Sequence, residues 1–136
     1  MKASLALALL LAACAPAMQA PKPTSAPHRP FTGSWRGTGT QTNPHESWSI
    51  ATTIAEGAPG DVVGTISYPS LACGGDLVLR SMSADTLVMT EYITFGRCVD
   101  GGTITLTWRS PESLDYAWSA GATNSTASGQ LDRAHR

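Results

Sequence analysis

The chain has 136 residues, of which 14% are charged and 42% are hydrophobic, and its formal net charge is −1. This length corresponds to about one domain. The low and balanced charge argues against a nucleic-acid-binding protein, which needs a basic face, and against a highly charged disordered chain. It also argues against a coiled coil, which is rich in Ala, Glu, Lys and Leu.

Residues 1–13 have the pattern of an export signal. The positive start, Met1 and Lys2, is followed by an apolar run from Ala3 to Ala13 whose only polar residue is Ser4. A bilayer-spanning helix needs about 20 apolar residues, so this run is too short to be one. The pattern is typical of a secretory signal peptide.

The apolar run ends in Leu11-Ala12-Ala13-Cys14, which resembles a bacterial lipobox. The resemblance implies cleavage before Cys14 and attachment of palmitate-type acyl chains to its thiol, and two or more chains give stable membrane anchoring. Ala15, where Asp would favour the inner membrane, indicates the outer membrane of a Gram-negative cell. The alternative is a plain secretory signal that is cleaved after Ala17.

Residues 14–30 are interpreted as the lipidated Cys14 and an extended tether. The segment has no apolar periodicity and is rich in proline, which favours a semi-rigid, polyproline-like spacer. The domain then occupies residues 31–136, where six Arg face ten acidic residues. Its own surface is therefore not expected to bind anionic lipid. The tether prolines are Pro16, Pro21, Pro23, Pro27 and Pro30.

If Cys14 carries lipid, Cys73 and Cys98 remain. An exported protein meets an oxidising compartment, so these two cysteines are predicted to form a disulfide that closes a long loop. The alternatives are a metal site and a reactive thiol, but two cysteines without a nearby His make a poor zinc site.

From residue 31 onward the hydrophobic period is two, with turn residues between the runs, which predicts β-strands. No helix is expected after the signal. The faces are clearest late in the chain, where Ile104, Leu106 and Trp108 lie on one face and Thr103, Thr105 and Thr107 on the other. The eight predicted strands are Thr32–Thr40, Ser47–Ala55, Val62–Tyr68, Leu77–Met82, Thr86–Thr94, Thr103–Arg109, Ser113–Ser119 and Thr126–Arg133.

One apolar and one polar face are typical of an antiparallel sheet that is wetted on one side. Eight strands with short links favour an up-and-down meander, and closure into a barrel removes the exposed edges. We therefore predict an all-β, eight-stranded antiparallel barrel. An open sheet or a two-sheet sandwich is the alternative.

Two stretches resemble known β-proteins. Residues 32–37, Thr-Gly-Ser-Trp-Arg-Gly, resemble the Gly-x-Trp opening of lipocalin-like and avidin-like barrels. The later avidin Trp and Tyr positions have no counterparts, so biotin binding is not implied. Residues 68–77, Tyr-Pro-Ser-Leu-Ala-Cys-Gly-Gly-Asp-Leu, with the later Cys98 and Gly101-Gly102, resemble a small β-domain of bacterial secreted proteins and lipoproteins. That resemblance implies the fold and the disulfide, and no activity.

The aromatic residues fall mostly on the apolar faces of their strands. They predict either an ordinary core or an aromatic-lined pocket at a barrel mouth, where flat rings hold an apolar or sugar-like ligand. The candidate ligand-binding residues are Trp35, Glu91, Trp108, Tyr116 and Trp118.

Glu91 shares its strand face with Leu87, Met89 and Ile93, so it is predicted to point inward. A carboxylate buried alone costs several kcal/mol and should be paired or protonated. One interpretation is an ion pair with Arg36, Arg80 or Arg97, and another is a group that orients a ligand. A bulge near residues 94–96 that turns Glu91 to solvent is the third.

These observations favour a binding module for a small apolar, aromatic or glycan ligand, with an open cavity. The alternative is a protein-interaction module with a filled barrel and an exposed patch or loop, for example residues 96–102. We expect no enzyme activity, cofactor or metal: His28, His45 and His135 lack metal-ligand spacing, and no nucleophile elbow occurs.

Overall fold

The computed structural model describes residues 31–121 and 123–135. The predictions for the signal, the lipidation site and the tether fall on residues 1–30 and lie outside the described residues. The described chain forms a closed barrel of eight antiparallel strands in sequential order, which confirms the predicted fold class. The strands are β1 Gly33–Thr42, β2 His45–Ile54, β3 Val62–Tyr68, β4 Cys73–Met82, β5 Thr86–Phe95, β6 Thr103–Ser110, β7 Ser113–Ala120 and β8 Ser125–Arg133.

Two details differ from the sequence prediction. A 3₁₀ turn, Pro69–Leu71, follows β3 where no helix was expected. Strand β4 begins at Cys73 instead of Leu77, because Gly74 and Gly75 pair with β3 on one side and β5 on the other. The backbones of these neighbours occupy the space that a Cβ on either glycine would need. The glycine pair that predicted a turn therefore allows close strand packing.

The barrel closes between its first and last strands. Strands β1 and β8 pair from Trp35 opposite Arg133 to Gln41 opposite Ala127. Closure leaves neither terminal strand with an exposed edge, which stabilises a sheet of this size. Bulges in the β3–β4, β4–β5 and β6–β7 pairs locally interrupt the alternation of inward and outward side chains.

The middle of the barrel is filled. Its largest fully buried side chains are Trp35, Tyr116, Leu77, Met89, Ile104, Leu106, Leu114, Leu131, Glu91 and Cys73. We call the end that holds the start of β1 and the end of β8 the lower end. The upper end holds the β1–β2, β5–β6 and β7–β8 connections together with the 3₁₀ turn.

Cys73 and Cys98 form a disulfide across 25 residues of sequence, as predicted. It ties the start of β4 to the loop between β5 and β6 at the upper end. None of the described residues belongs to a helix with the length and apolarity that a membrane crossing requires.

Candidate functional site

The upper end of the barrel contains a pocket of about 310 Å³, which is within the size range of small-ligand sites. We call it the upper pocket. Its floor and walls combine aromatic rings with one buried carboxyl group, and its rim is formed by the disulfide loop and the 3₁₀ turn. The lining residues are Gln41, Glu46, Trp48, Tyr68, Leu71, Glu91, Arg97, Cys98, Val99, Tyr116 and Trp118.

Glu91 lies on β5 and is 1% exposed, which places it on the inward face that its parity indicates. A bulge does occur nearby, since the β4–β5 register shifts between Ile93 and Phe95. It lies beyond Glu91 along the strand and leaves its direction unchanged. The interpretation that a bulge turns Glu91 to solvent is therefore wrong.

Hydrogen bonds connect Glu91 to aromatic side chains from two other strands, β3 and β7. The Tyr68 hydroxyl donates to Oε2 of Glu91, and the Trp118 indole N–H donates to Oε1 over 3.3 Å. The Tyr68 and Tyr116 hydroxyls are 3.1 Å apart, and the Trp48 indole lies close enough to Tyr116 to lower the pKa of its hydroxyl. We call these five side chains the polar chain.

The predicted arginine partner of Glu91 is absent from the described structure. Arg80 points outward and donates to Thr90 and Tyr92 at 2.8 and 2.6 Å, and Arg36 lines an external groove. Arg97 is exposed on the rim of the upper pocket and forms no ion pair with Glu91. The ion-pair interpretation is therefore wrong, because Arg36 and Arg80 lie on the outer faces of their strands and Arg97 is not within ion-pair distance of Glu91.

Burial raises the pKa of the Glu91 carboxyl, since removal from water disfavours its charged form. Hydrogen bonds from Tyr68 and Trp118 act in the opposite direction and lower this pKa, and the Asp100 charge raises it. Burial likewise raises the pKa of the Tyr68 and Tyr116 hydroxyls. Both tyrosines therefore stay protonated at neutral pH and remain able to donate hydrogen bonds.

The two indoles of the polar chain each lie against a glycine. A Cβ on Gly39 would come within 2.8 Å of the Trp48 ring nitrogen, and one on Gly102 would overlap that of Trp118. Because these glycines have no side chain, both indoles lie close to the barrel wall, and the N–H group of Trp118 reaches Glu91.

The structure divides the predicted ligand-binding residues between the two ends. Glu91, Tyr116 and Trp118 meet in the upper pocket. Trp35 and Trp108 lie at the lower end and are not part of it. Strand parity determines which face a side chain occupies, whereas its height in the barrel depends on register, so five inward-facing residues do not have to share one site.

At the lower end, Trp35 is fully buried and its indole donates to the carbonyl oxygen of Phe31 at 2.8 Å. The Arg133 guanidinium lies 4.1 Å from the centre of the Trp35 ring and donates to the carbonyl oxygens of Thr32 and Pro111. Phe31 also packs edge-to-face on Trp108. These contacts close this part of the lower end.

A larger cavity of about 410 Å³ lies beside these contacts at the lower end. Its lining is mostly apolar, with Ile54, Val63 and Leu79 among its residues, and its one carboxylate, Glu56, is exposed. None of its lining residues is a buried polar or charged side chain. The convergent polar groups that identify a ligand site are therefore found in the upper pocket.

Tyr68 and Trp48 line the upper pocket but were not among the residues predicted to bind the ligand. Both stand on the apolar faces of their strands, and both carry an N–H or O–H donor. A buried carboxyl group without an inward cation needs such donors, and this requirement is the signal that could have identified them.

Within residues 31–121 and 123–135, no group of three His, Cys, Asp or Glu side chains is placed to hold a metal ion. No protein-family model matches the chain, and no curated protein is significantly similar to it.

Proposed function

We propose that this protein is a lipid-anchored binding protein of the bacterial cell envelope, which holds a small ligand with an apolar or aromatic body in the upper pocket. The observation that carries the proposal is the polar chain. Burying a carboxyl group, here held by Tyr68 and Trp118 in a concave, aromatic-lined site, lowers the stability of the fold. An apolar side chain at a position with only a packing role would not have this cost.

The size and composition of the upper pocket support a ligand role. Its volume of about 310 Å³ suits a small organic molecule, and ligand sites combine apolar walls with a few placed polar groups. Trp48, Tyr68, Tyr116 and Trp118 supply the walls. Glu91 supplies the group that orients the ligand.

The test uses the full chain with Cys14→Ser, which removes the predicted acylation site, and the neutral fluorophore N-phenyl-1-naphthylamine. Its fluorescence should rise on binding. Gly102→Ala adds a methyl group that displaces the Trp118 indole and should weaken binding. Gly121→Ala, at the same end but facing open space, is the matched control. Equal binding by both variants, or no binding by the parent chain, would contradict the proposal.

The anchoring part of the proposal rests on the lipobox-like sequence before Cys14. Stable attachment requires more than one acyl chain, which a diacylated cysteine provides. The wild-type chain should therefore fractionate with membranes, with the outer membrane in a Gram-negative host. Cys14→Ser should release it into the soluble envelope fraction, and unchanged fractionation would contradict lipidation.

A second candidate function is a protein-interaction module. It is favoured by apolar side chains that stand exposed beside the upper pocket: Phe95 is 53%, Val99 42% and Leu71 39% exposed. These residues flank the disulfide loop. If this function is the correct one, Phe95→Ser should abolish binding of a protein partner, and the fluorophore should not bind in the upper pocket.

A further inference from the structure

We propose that the ligand of the upper pocket is an organic cation, with an ammonium group held by Glu91 and the aromatic rings and an apolar body directed towards the rim. This inference rests on the proposed function, since it names the chemical class of ligand for the same pocket. Three independent features carry it: the hydrogen bonds to Glu91, the charges around the pocket, and the arrangement of the rings.

The first feature is the direction of the hydrogen bonds that reach Glu91. The Trp118 indole can only donate, and it contacts Oε1. The Tyr68 hydroxyl donates to Oε2, and it lies within hydrogen-bond distance of Tyr116. Donors on both carboxyl oxygens favour the carboxylate form over the neutral acid. Burial has the larger, opposite effect on the pKa of Glu91, so the two donors are placed to hold a carboxylate once a cation offsets the cost of burial.

The second feature is the absence of a protein counter-charge at this floor. Buried charges in proteins are normally paired, yet among the described residues no Arg, Lys or His forms an ion pair with Glu91. Two further carboxylates stand nearby, since Glu46 lines the pocket and Asp100 acts on Glu91 electrostatically. Arg97 is the one cation among the lining residues and lies exposed at the rim. A positively charged ligand would supply the missing partner.

The third feature is the set of aromatic walls. The Trp48 and Tyr68 rings are perpendicular, at 90°, with centroids 6.5 Å apart, and the rings of Tyr116 and Trp118 complete the lining. The faces of Trp and Tyr rings attract cations, and several such rings together recognise alkylated ammonium groups. Leu71 at the rim offers apolar contact for the rest of the ligand.

The experiment compares three probes that share a phenyl body and differ in charge: 2-phenylethylammonium, 2-phenylethanol and phenylacetate. Each is titrated against the full chain with Cys14→Ser, with displacement of N-phenyl-1-naphthylamine as the readout. The ammonium compound should bind at least about 10-fold more tightly than the alcohol, and phenylacetate should bind most weakly.

Three variants test the role of the charge. Glu91→Gln should remove the preference for the ammonium probe while the alcohol still binds, and retained alcohol binding also reports that the variant is folded. Glu46→Gln changes an exposed rim residue and should reduce the preference by a smaller factor. Glu56→Gln makes the same change at the lower end and should leave the preference intact.

The outcomes separate this inference from the proposed function. If the fluorophore binds but the alcohol, phenylacetate or an uncharged monosaccharide displaces it as well as the ammonium probe does, the cation is excluded and the pocket stands. Failure of all probes to displace a bound fluorophore also excludes the cation. If no compound binds, the fluorophore included, both proposals fail.

Discussion

The two ends of the barrel are built on different chemistry although the same eight strands form both. At the lower end the polar groups are satisfied locally, since Trp35 donates to the Phe31 carbonyl and Arg133 to the carbonyls of Thr32 and Pro111. At the upper end, donors from two strands, Tyr68 on β3 and Trp118 on β7, converge on one buried carboxyl group. The lower end is arranged for closure, and the upper end places a buried carboxyl group at the floor of a pocket.

The two ends also differ in how their buried polar side chains are satisfied. Trp35 has its indole donor satisfied by the chain's own backbone and needs no outside partner. Glu91 is surrounded by donors but has no cation beside it within the described residues. A difference of this kind is expected where a protein gives up some stability to prepare a site for a ligand. Substitutions at the two ends should therefore affect stability and ligand binding separately.

The largest expected effect comes from the disulfide of the upper end. Replacing Cys73 and Cys98 with Ser together should lower the free energy of unfolding by about 3.5 kcal/mol, from the loop entropy of 25 residues. The melting temperature should fall by more than about 10 °C. Binding of N-phenyl-1-naphthylamine should also weaken, because Cys98 lines the upper pocket.

Thermal unfolding and a free-thiol count are the measurements for this prediction. The oxidised Cys14→Ser chain should contain no reactive thiol, and reduction with dithiothreitol should reproduce the loss of stability. Two reactive thiols in the oxidised chain would contradict the disulfide. An unchanged melting temperature in the double variant would show that packing alone maintains the upper end.

A matched pair of substitutions compares the ends directly. Trp35→Phe removes a buried hydrogen bond of 2.8 Å and leaves the Phe31 carbonyl oxygen without that donor. It should cost about 2 kcal/mol of stability and leave fluorophore binding unchanged. Trp118→Phe removes the donor to Glu91 from a half-buried position. It should cost about 1 kcal/mol and weaken binding.

Chemical denaturation and fluorophore titration on the same samples measure both quantities. If both variants lose stability and binding in the same proportion, the two ends are not independent. If Trp35→Phe weakens binding more than Trp118→Phe does, the upper pocket is the wrong site.

The sequence predicted the barrel because alternation and turn residues determine which face of a strand is buried. The late strands, with Ile104, Leu106 and Trp108 on one face, are found as predicted. The start of β4 was missed, since Gly74 and Gly75 are common turn residues and their role in close strand packing depends on both neighbouring strands. That information is not local in the sequence.

The site was predicted only in part, because strand alternation is visible in the sequence and the contacts between distant strands are not. Parity identified Glu91 as an inward carboxyl group, and this prediction required no knowledge of its neighbours. Its partners, Tyr68 and Trp118, come from strands far away in the sequence, and only the barrel register and strand tilt bring them together. Trp35 and Trp108 have the same parity signal, and the sequence alone did not place them at the other end.

The smallest expected effect is a pH dependence located at Glu91. Burial raises its pKa in the folded state. Between the unfolded and folded pKa values the folded chain therefore binds more protons, and the free energy of unfolding falls as pH rises through that window.

Lowering the pH from 7.5 to 4.5 should thus stabilise the wild-type chain relative to Glu91→Gln, which has no carboxyl group to protonate. Glu56→Gln, at an exposed site, should follow the wild-type curve. The measurement is the melting temperature of the three chains across this pH range. Parallel curves for wild type and Glu91→Gln would mean that the titration of Glu91 does not change the stability of the fold. The pKa of Glu91 would then be the same in the folded and the unfolded chain, and the upper end would lack the desolvated carboxyl group that distinguishes it from the lower end.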